Sequence, residues 1–275
     1  MRYELNEILE LGERGNFAVP AFNVYTMENV LGVMNAVEET GAPVIFQMYS
    51  RLFDTQVGKF LAPVVLEAIN HLKTPAAFHI DHGTGEGQVL RAIQYGATGA
   101  MIDASTLPLE ENIAKTKRIV EIASAANIGV EGELGHIGAA TDETWSDYTD
   151  VDEAVCYVNE TGVKALAVMV GTAHGHYKKA PVLAIDRIAE LHEKVGAHLV
   201  LHGGSGVPDD QVKAAIAAGI RKVNFATDLA WAFINGCRAV DAGKYPLDVY
   251  LAYPTSDVKN FALEKIKLLG ADRGM

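Results

Sequence analysis

Short apolar runs alternate eight times along the chain with longer stretches whose apolar residues recur every three to four positions. The runs are Phe17–Val24, Pro43–Tyr49, Ala76–His82, Gly99–Ser105, Gly129–Gly135, Ala165–Gly171, His198–Gly203 and Lys222–Thr227. They are rich in Val, Ile, Ala and Phe and largely apolar on both faces, as strands of a covered parallel sheet are. The helical period fills Met27–Thr40, Gln56–His71, Gly87–Tyr95, Leu109–Ala126, Val151–Thr161, Val182–Val195, Asp209–Ala218 and Asp228–Ala242. Strict alternation predicts parallel strands joined by helical crossovers. Eight such units favour a closed α/β fold, the (β/α)8 or TIM barrel, over an open doubly wound sheet. A last amphipathic segment, Val258–Leu269, is expected as an additional C-terminal helix outside the barrel. No low-complexity linker interrupts the pattern, so residues 1–275 read as one barrel domain.

Composition narrows the function classes. The chain has 275 residues, 49% of them hydrophobic, and a formal net charge of -12. No Lys/Arg cluster of the kind that binds nucleic acid or an anionic membrane surface is present. No GxGxxG motif follows the first strand, which argues against dinucleotide binding. The two cysteines, Cys156 and Cys237, lack metal-ligand spacing and read as buried thiols rather than a disulfide. Met1–Gly15 is amphipathic and charged, with no apolar signal region, and no run approaches a membrane span. The expectation is a soluble, cytoplasmic protein.

Polar residues collect where the strands end. The third run breaks into Asp81-His82-Gly83, the sixth is followed by His174-Gly175, and the seventh by His202-Gly203-Gly204-Ser205-Gly206. In a barrel these C-terminal tips converge on one rim. Three imidazoles there suit a Zn²⁺ ion with a fourth position open to substrate. Asn23, Asp103, Ser105, Glu133, Asn224 and Thr227 end other strands on the same rim. Asp103 and Glu133 read either as hydrogen-bond anchors or as oxygen ligands of a second cation position. His79, His136 and His176 are expected in supporting or surface roles. The glycine-rich turn after the seventh run, with Asn224–Thr227 and the helix start at Asp228, has the form of a phosphate cradle.

These stretches together resemble the class II, zinc-dependent ketose-bisphosphate aldolases, of the fructose- and tagatose-bisphosphate type. The matching residues are Pro20–Asn23, His79–His82, Met101–Ser105, Glu133–Gly135, Gly171–Gly175, Leu201–Gly206 and Asn224–Thr227, in order over nearly the whole chain. The resemblance implies that His82, His174 and His202 bind one catalytic Zn²⁺ per chain. Asp103 and Glu133 would belong to an alternative metal or monovalent-cation position. It implies Asp81 as acid/base, and Asn23, Gly175, Gly203, Gly204, Ser205, Asn224, Ala226 and Thr227 as holders of dihydroxyacetone phosphate. The implied reaction cleaves or forms a ketose 1-phosphate or 1,6-bisphosphate through a metal-stabilised enediolate. The expected partners are a phosphorylated sugar and further copies of the chain, as a dimer or tetramer, with neither nucleic acid nor membrane.

The chain departs from the family after Glu133. Thr141 stands where a glutamate usually handles the carbon-bound proton, and Asp142 and Glu143, which follow it, read either as replacement bases or as acids that solvate the loop. The same compressed stretch carries Trp145 and Tyr148. This opens the alternative of the same chemistry with another aldehyde, such as a longer sugar or a sugar acid. A non-catalytic homologue is the third reading, opposed by the retention of Asp81 and all three histidines. Lys164 and Lys222 fall at strand starts, away from the rim, which disfavours a Schiff base.

Overall fold

A computed structural model describes residues 1–138, 148–175, 177 and 179–273. Eight strands pair in parallel with their sequence neighbours, and the eighth closes on the first. They are β1 Val19–Asn23, β2 Val44–Tyr49, β3 Ala76–Gly83, β4 Gly99–Ile102, β5 Gly129–Leu134, β6 Ala165–Val168, β7 His198–Leu201 and β8 Ile220–Phe225. The expected (β/α)8 barrel is the fold.

Helices cover the outside: α1 Leu5–Gly15, α2 Met27–Thr40, α3 Gln56–His71, α4 Glu86–Gln94 and α5 Leu109–Ser124. They continue with α6 Val151–Thr161, α7 Ile185–Lys194, α8 Asp209–Ala218, α9 Thr227–Ala239 and α10 Leu247–Leu268. The amphipathic start of the chain is α1, opened by a capping box between Glu4 and Glu7. Leu5, Ile8 and Leu9 are buried, and the Leu5 N–H donates to the Thr98 carbonyl just before β4. Helix α1 therefore closes the barrel at its strand starts, opposite the functional rim.

The C-terminal helix begins eleven residues earlier than the sequence pattern suggested, because Pro254 lies within it. Its missing N–H leaves the Tyr250 carbonyl without its intrahelical donor. The buried side chains Val258, Ala262 and Ile266 keep the helical stripe facing the barrel. Gly32 of α2 lets α10 close in: a Cβ there would stand 2.7 Å from Val258 Cγ1.

Both cysteines are free, as expected, yet Cys156 is exposed and Cys237 half-buried. Helix α6 buries Val151, Ala154, Tyr157, Val158 and Thr161 at three- and four-residue spacing, and Cys156 falls off that stripe. Among the described residues, no helix is long and apolar enough to cross a membrane.

Candidate active site

The tip of β3 departs from strand geometry. Side chains alternate along a strand, so His79 and Asp81 face one way and His82 would face the other. The β3–β4 register shifts between Ile80 and Gly83, and His82 sits at φ 50. Such a left-handed turn costs a non-glycine residue roughly 1–2 kcal/mol. It brings the His82 ring into the same cleft as Asp81, with Nε2 3.9 Å from Asp81 Oδ1.

Here the three strand-tip histidines meet. Ring centroids lie 4.8 Å apart for His82–His174, 4.7 Å for His82–His202 and 5.8 Å for His174–His202. Each ring turns one nitrogen outward to an acceptor. His82 Nδ1 lies 2.9 Å from Asp103 Oδ2, His174 Nδ1 2.9 Å from the Ile137 carbonyl, and His202 Nε2 2.7 Å from Glu131 Oε1. N–H donation to these acceptors leaves His82 Nε2, His174 Nε2 and His202 Nδ1 as free lone pairs turned on one another. Two of them, His202 Nδ1 and His82 Nε2, are only 3.0 Å apart. Lone pairs that close require a proton or a cation between them, and outward donation to fixed acceptors is how metal-binding histidines are oriented.

The electrostatics agree. Burial opposes a charge on His82, but Asp81, Asp103 and Glu133 outweigh it and push it up to about 10. Burial, then the His82 charge, push His174 down to about 4 and His202 well below its ordinary value. The cluster thus takes one proton and resists a second.

A second set, His82, Asp103 and Glu133, also lies within ligand spacing. Ser105 Oγ stands 2.8 Å from Asp103 Oδ1 and 2.9 Å from Glu133 Oε1. One hydroxyl proton cannot serve two carboxylates. Burial, reinforced by Asp103, raises Glu133 to about 8 against the opposing charge of His82. The other oxygen, Glu133 Oε2, is buried without a partner and lies 3.9 Å from nitrogens of both His82 and His202. An orphaned carboxylate oxygen in that position fits a cation ligand.

Asp81 is clamped by amides. Asn23 Nδ2 donates to Oδ2 at 2.7 Å and Asn224 Nδ2 to Oδ1 at 3.2 Å. Gln47 Nε2 in turn donates to Asn23 Oδ1 at 3.0 Å. Asn23 and Asn224, expected as substrate holders, therefore also orient the carboxylate. Gln47 was not anticipated, being one polar residue inside the apolar run of β2.

One cleft is lined by Asn23, Asp81, His82, His174, Gly175, Gly203, Ser205, Asn224, Ala226 and Thr227. Of the expected substrate residues, Gly204 alone is not part of that lining. The cradle loops are stapled together by Tyr177. Its hydroxyl accepts from the Ala173 N–H at 2.7 Å and donates to the Gly203 carbonyl at 2.9 Å. Gly203 has φ 64, and a Cβ there would strike the Ala173 carbonyl. Ser205 Oγ accepts the Asp228 N–H at 3.1 Å, tying the β7 loop to the first turn of α9. Thr141, Asp142, Glu143, Trp145 and His176 lie outside the described residues.

Beneath the rim the structure corrects the reading of Lys222. It is fully buried in the barrel interior, with Nζ 2.8 Å from Glu131 Oε2. Glu131 bridges it to His202, so the lysine is committed to an ion pair and not free as an amine nucleophile. Glu131 had a sequence signal: it precedes Glu133 by two positions, hence shares its face of β5. His79 lies in the same layer with both ring nitrogens unpartnered, and burial pushes it down to about 3.

The C-terminal rim of a parallel barrel, gathering three histidines and an amide-clamped aspartate, is the candidate active site. Residues 3–273 match the class-II fructose-bisphosphate aldolase family, and the chain belongs to it. It is accordingly an aldolase, a carbon–carbon lyase of carbohydrate metabolism. It is 35% identical over 265 residues to a sulfofructosephosphate aldolase of Alkalicoccus urumqiensis, covering 94% of this chain and 92% of that one. A 6-phospho-5-dehydro-2-deoxy-D-gluconate aldolase of Halalkalibacterium halodurans is 35% identical over 256 residues, 91% of this chain and 89% of the other. The crystal structure of the YdjI aldolase from Escherichia coli K12 superposes with a TM-score of 0.91 at 31% identity, over 100% of both chains.

Proposed function

We propose that the chain is a zinc-dependent aldolase that cleaves or forms a ketose 1-phosphate or 1,6-bisphosphate, with dihydroxyacetone phosphate as the common three-carbon unit. The observation that carries this reading is the convergence of three imidazole lone pairs beside Asp81. His82, His174 and His202 would hold the Zn²⁺ ion, which would supply Lewis-acid charge to the substrate carbonyl.

The chain's own groups do the rest. Asp81 takes the proton of the C4 hydroxyl on cleavage and returns it on condensation. Asn23 and Asn224 fix the carboxylate for that transfer. Backbone N–H groups of Gly203–Ser205 and Ala226–Thr227, with the first turn of α9, hold the phosphate. Asp103 and Glu133 orient His82 or take an alternative cation position. Asp142 or Glu143 carries the proton of the dihydroxyacetone phosphate carbon. Exposed apolar side chains such as Phe60 and Leu247 support assembly as a dimer or tetramer.

The aldehyde partner is read as an acid-bearing one. The two relatives are named for substrates with an acid besides phosphate: a sulfonate in sulfofructose phosphate, a carboxylate in the phosphorylated deoxygluconate. Incubation with ketose 1-phosphates should release dihydroxyacetone phosphate, detected by mass spectrometry. The Asp142→Ala/Glu143→Ala double variant should lose solvent-deuterium exchange into dihydroxyacetone phosphate while keeping its zinc. Exchange at the parent rate would move the base elsewhere.

A further inference from the structure

The rim has a side that neither the metal cluster nor the phosphate cradle uses. Strand β2 stands diametrically across the closed eight-stranded barrel from β6, whose loop carries His174 and Gly175. It delivers Tyr49 to the rim in register with Asp81, and the Tyr49 ring centroid lies 5.8 Å from that of His82. Two residues on, in the 3-10 turn Ser50–Asp54, the Arg51 guanidinium carbon rests 4.4 Å above the Tyr49 ring.

Arg51 is exposed, and among the described residues it has no carboxylate partner. The nearest acid in its own turn, Asp54, is taken by Arg91 and Gln88 of α4. Stacking on an aromatic face holds the guanidinium plane while leaving its N–H fork open to solvent. Tyr49 thus carries the guanidinium on the β2 side of the rim, beside His82 and in register with Asp81. In a chain of formal net charge -12, Arg51 is a cation without a carboxylate partner among the described residues.

We propose that Arg51, held flat on Tyr49, receives an anionic group at the far end of the aldehyde partner. This deepens the aldolase reading above and rests on it. The ligand chemistry is a carboxylate, sulfonate or phosphate, each of which presents two oxygens to the guanidinium fork. Arg51 acts there as a specificity-determining residue, because dihydroxyacetone phosphate sits at the other end of the cleft.

The test compares acidic aldehydes with neutral counterparts of similar length, condensed with dihydroxyacetone phosphate. Succinic semialdehyde is set against butanal, 3-sulfopropanal against butanal, and glyceraldehyde 3-phosphate against glyceraldehyde. The parent enzyme should prefer at least one acidic member, and the pair with the largest ratio identifies the anion. Arg51→Gln should reduce that ratio by about 10–100-fold, the weight of a charged hydrogen-bonded contact, mainly through KM. Arg51→Lys should keep part of it, since it retains the charge without the planar fork. Deuterium exchange into dihydroxyacetone phosphate without aldehyde serves as the internal control. An unchanged ratio in Arg51→Gln, or a parent indifferent to charge in every pair, overturns the proposal while exchange persists. A parent that shows no exchange overturns the aldolase reading and this proposal with it.

Discussion

His202 and His79 are both fully buried imidazoles inside one barrel, yet they are built in opposite ways. His202 has an acceptor on one nitrogen, Glu131, and aims the other at His82. His79 has neither, although its Nε2 lies 3.4 Å from the same glutamate. The difference separates a rim in which every donor has a purpose from a layer beneath it that only supports. A ligand histidine is recognised by what fixes its far nitrogen, not by burial, because burial alone leaves both rings neutral. On this account, changes at the rim cost metal and rate, whereas changes in the layer below cost affinity or stability.

The sharpest break is at the rim. His174→Ala or His202→Ala should remove the ion together with activity, a fall of about 10³-fold or more given the several kcal/mol a Lewis acid contributes. Metal content by elemental analysis checks it, and either variant retaining a full complement would erase the distinction between the layers. Asp81→Ala should keep the ion and the fold but lose about 10²–10⁴ in kcat. A near-normal kcat would reduce Asp81 to an orienting group for His82.

Much of this rim was legible in the sequence. Each histidine is a polar residue beside glycine at the end of an apolar run, and barrel topology brings such ends together. Asn23 and Asn224 were legible in the same way. The supporting groups were not, since Gln47, Glu131 and Lys222 interrupt strands that otherwise read as core. Their partners come from strands distant in sequence, and only closure of the barrel reveals them. The one regular hint is period two, which puts Glu131 with Glu133 and Lys222 with Asn224 on the inner face. Tyr177 lies in a loop, where no periodicity points at its staple between the β6 and β7 loops.

Glu131 tests the boundary between the two regions. Glu131→Gln keeps the shape and removes the charge that orients His202 and pairs with Lys222. Zinc affinity should fall by about 10–100-fold, the usual weight of a residue behind a ligand histidine. Competition with a chromophoric chelator measures it, and the absorption bands of a Co²⁺-substituted variant should shift because His202 reorients. Unaltered affinity and spectrum would show that the layer does not reach the metal.

The smallest effect belongs to His79. Its folded-state value of about 3 lies below the ordinary 6.5, so the folded protein binds fewer protons than the unfolded chain between those limits. Its contribution to stability is complete above pH 6.5 and is lost as pH falls towards 3, by at most about 1.4 kcal/mol per pH unit. Glu131 and Lys222 face the ring with opposite charge, and burial, reinforced by Lys222, outweighs Glu131. Urea unfolding of the parent and His79→Leu across pH 7 to 4.5 should give a shallower decline in the variant. Parallel declines would mean that His79 is charged, or relaxed, in the native state.

The central claim is that three imidazoles hold one ion at which dihydroxyacetone phosphate is activated. The most direct measurement titrates Zn²⁺ into metal-stripped protein while following solvent deuterium into dihydroxyacetone phosphate. Exchange should be absent at the start and rise to a plateau at about one Zn²⁺ per chain, as a three-ligand open site requires. Exchange at full rate in the stripped protein, or the same plateau in His174→Ala, would contradict the account.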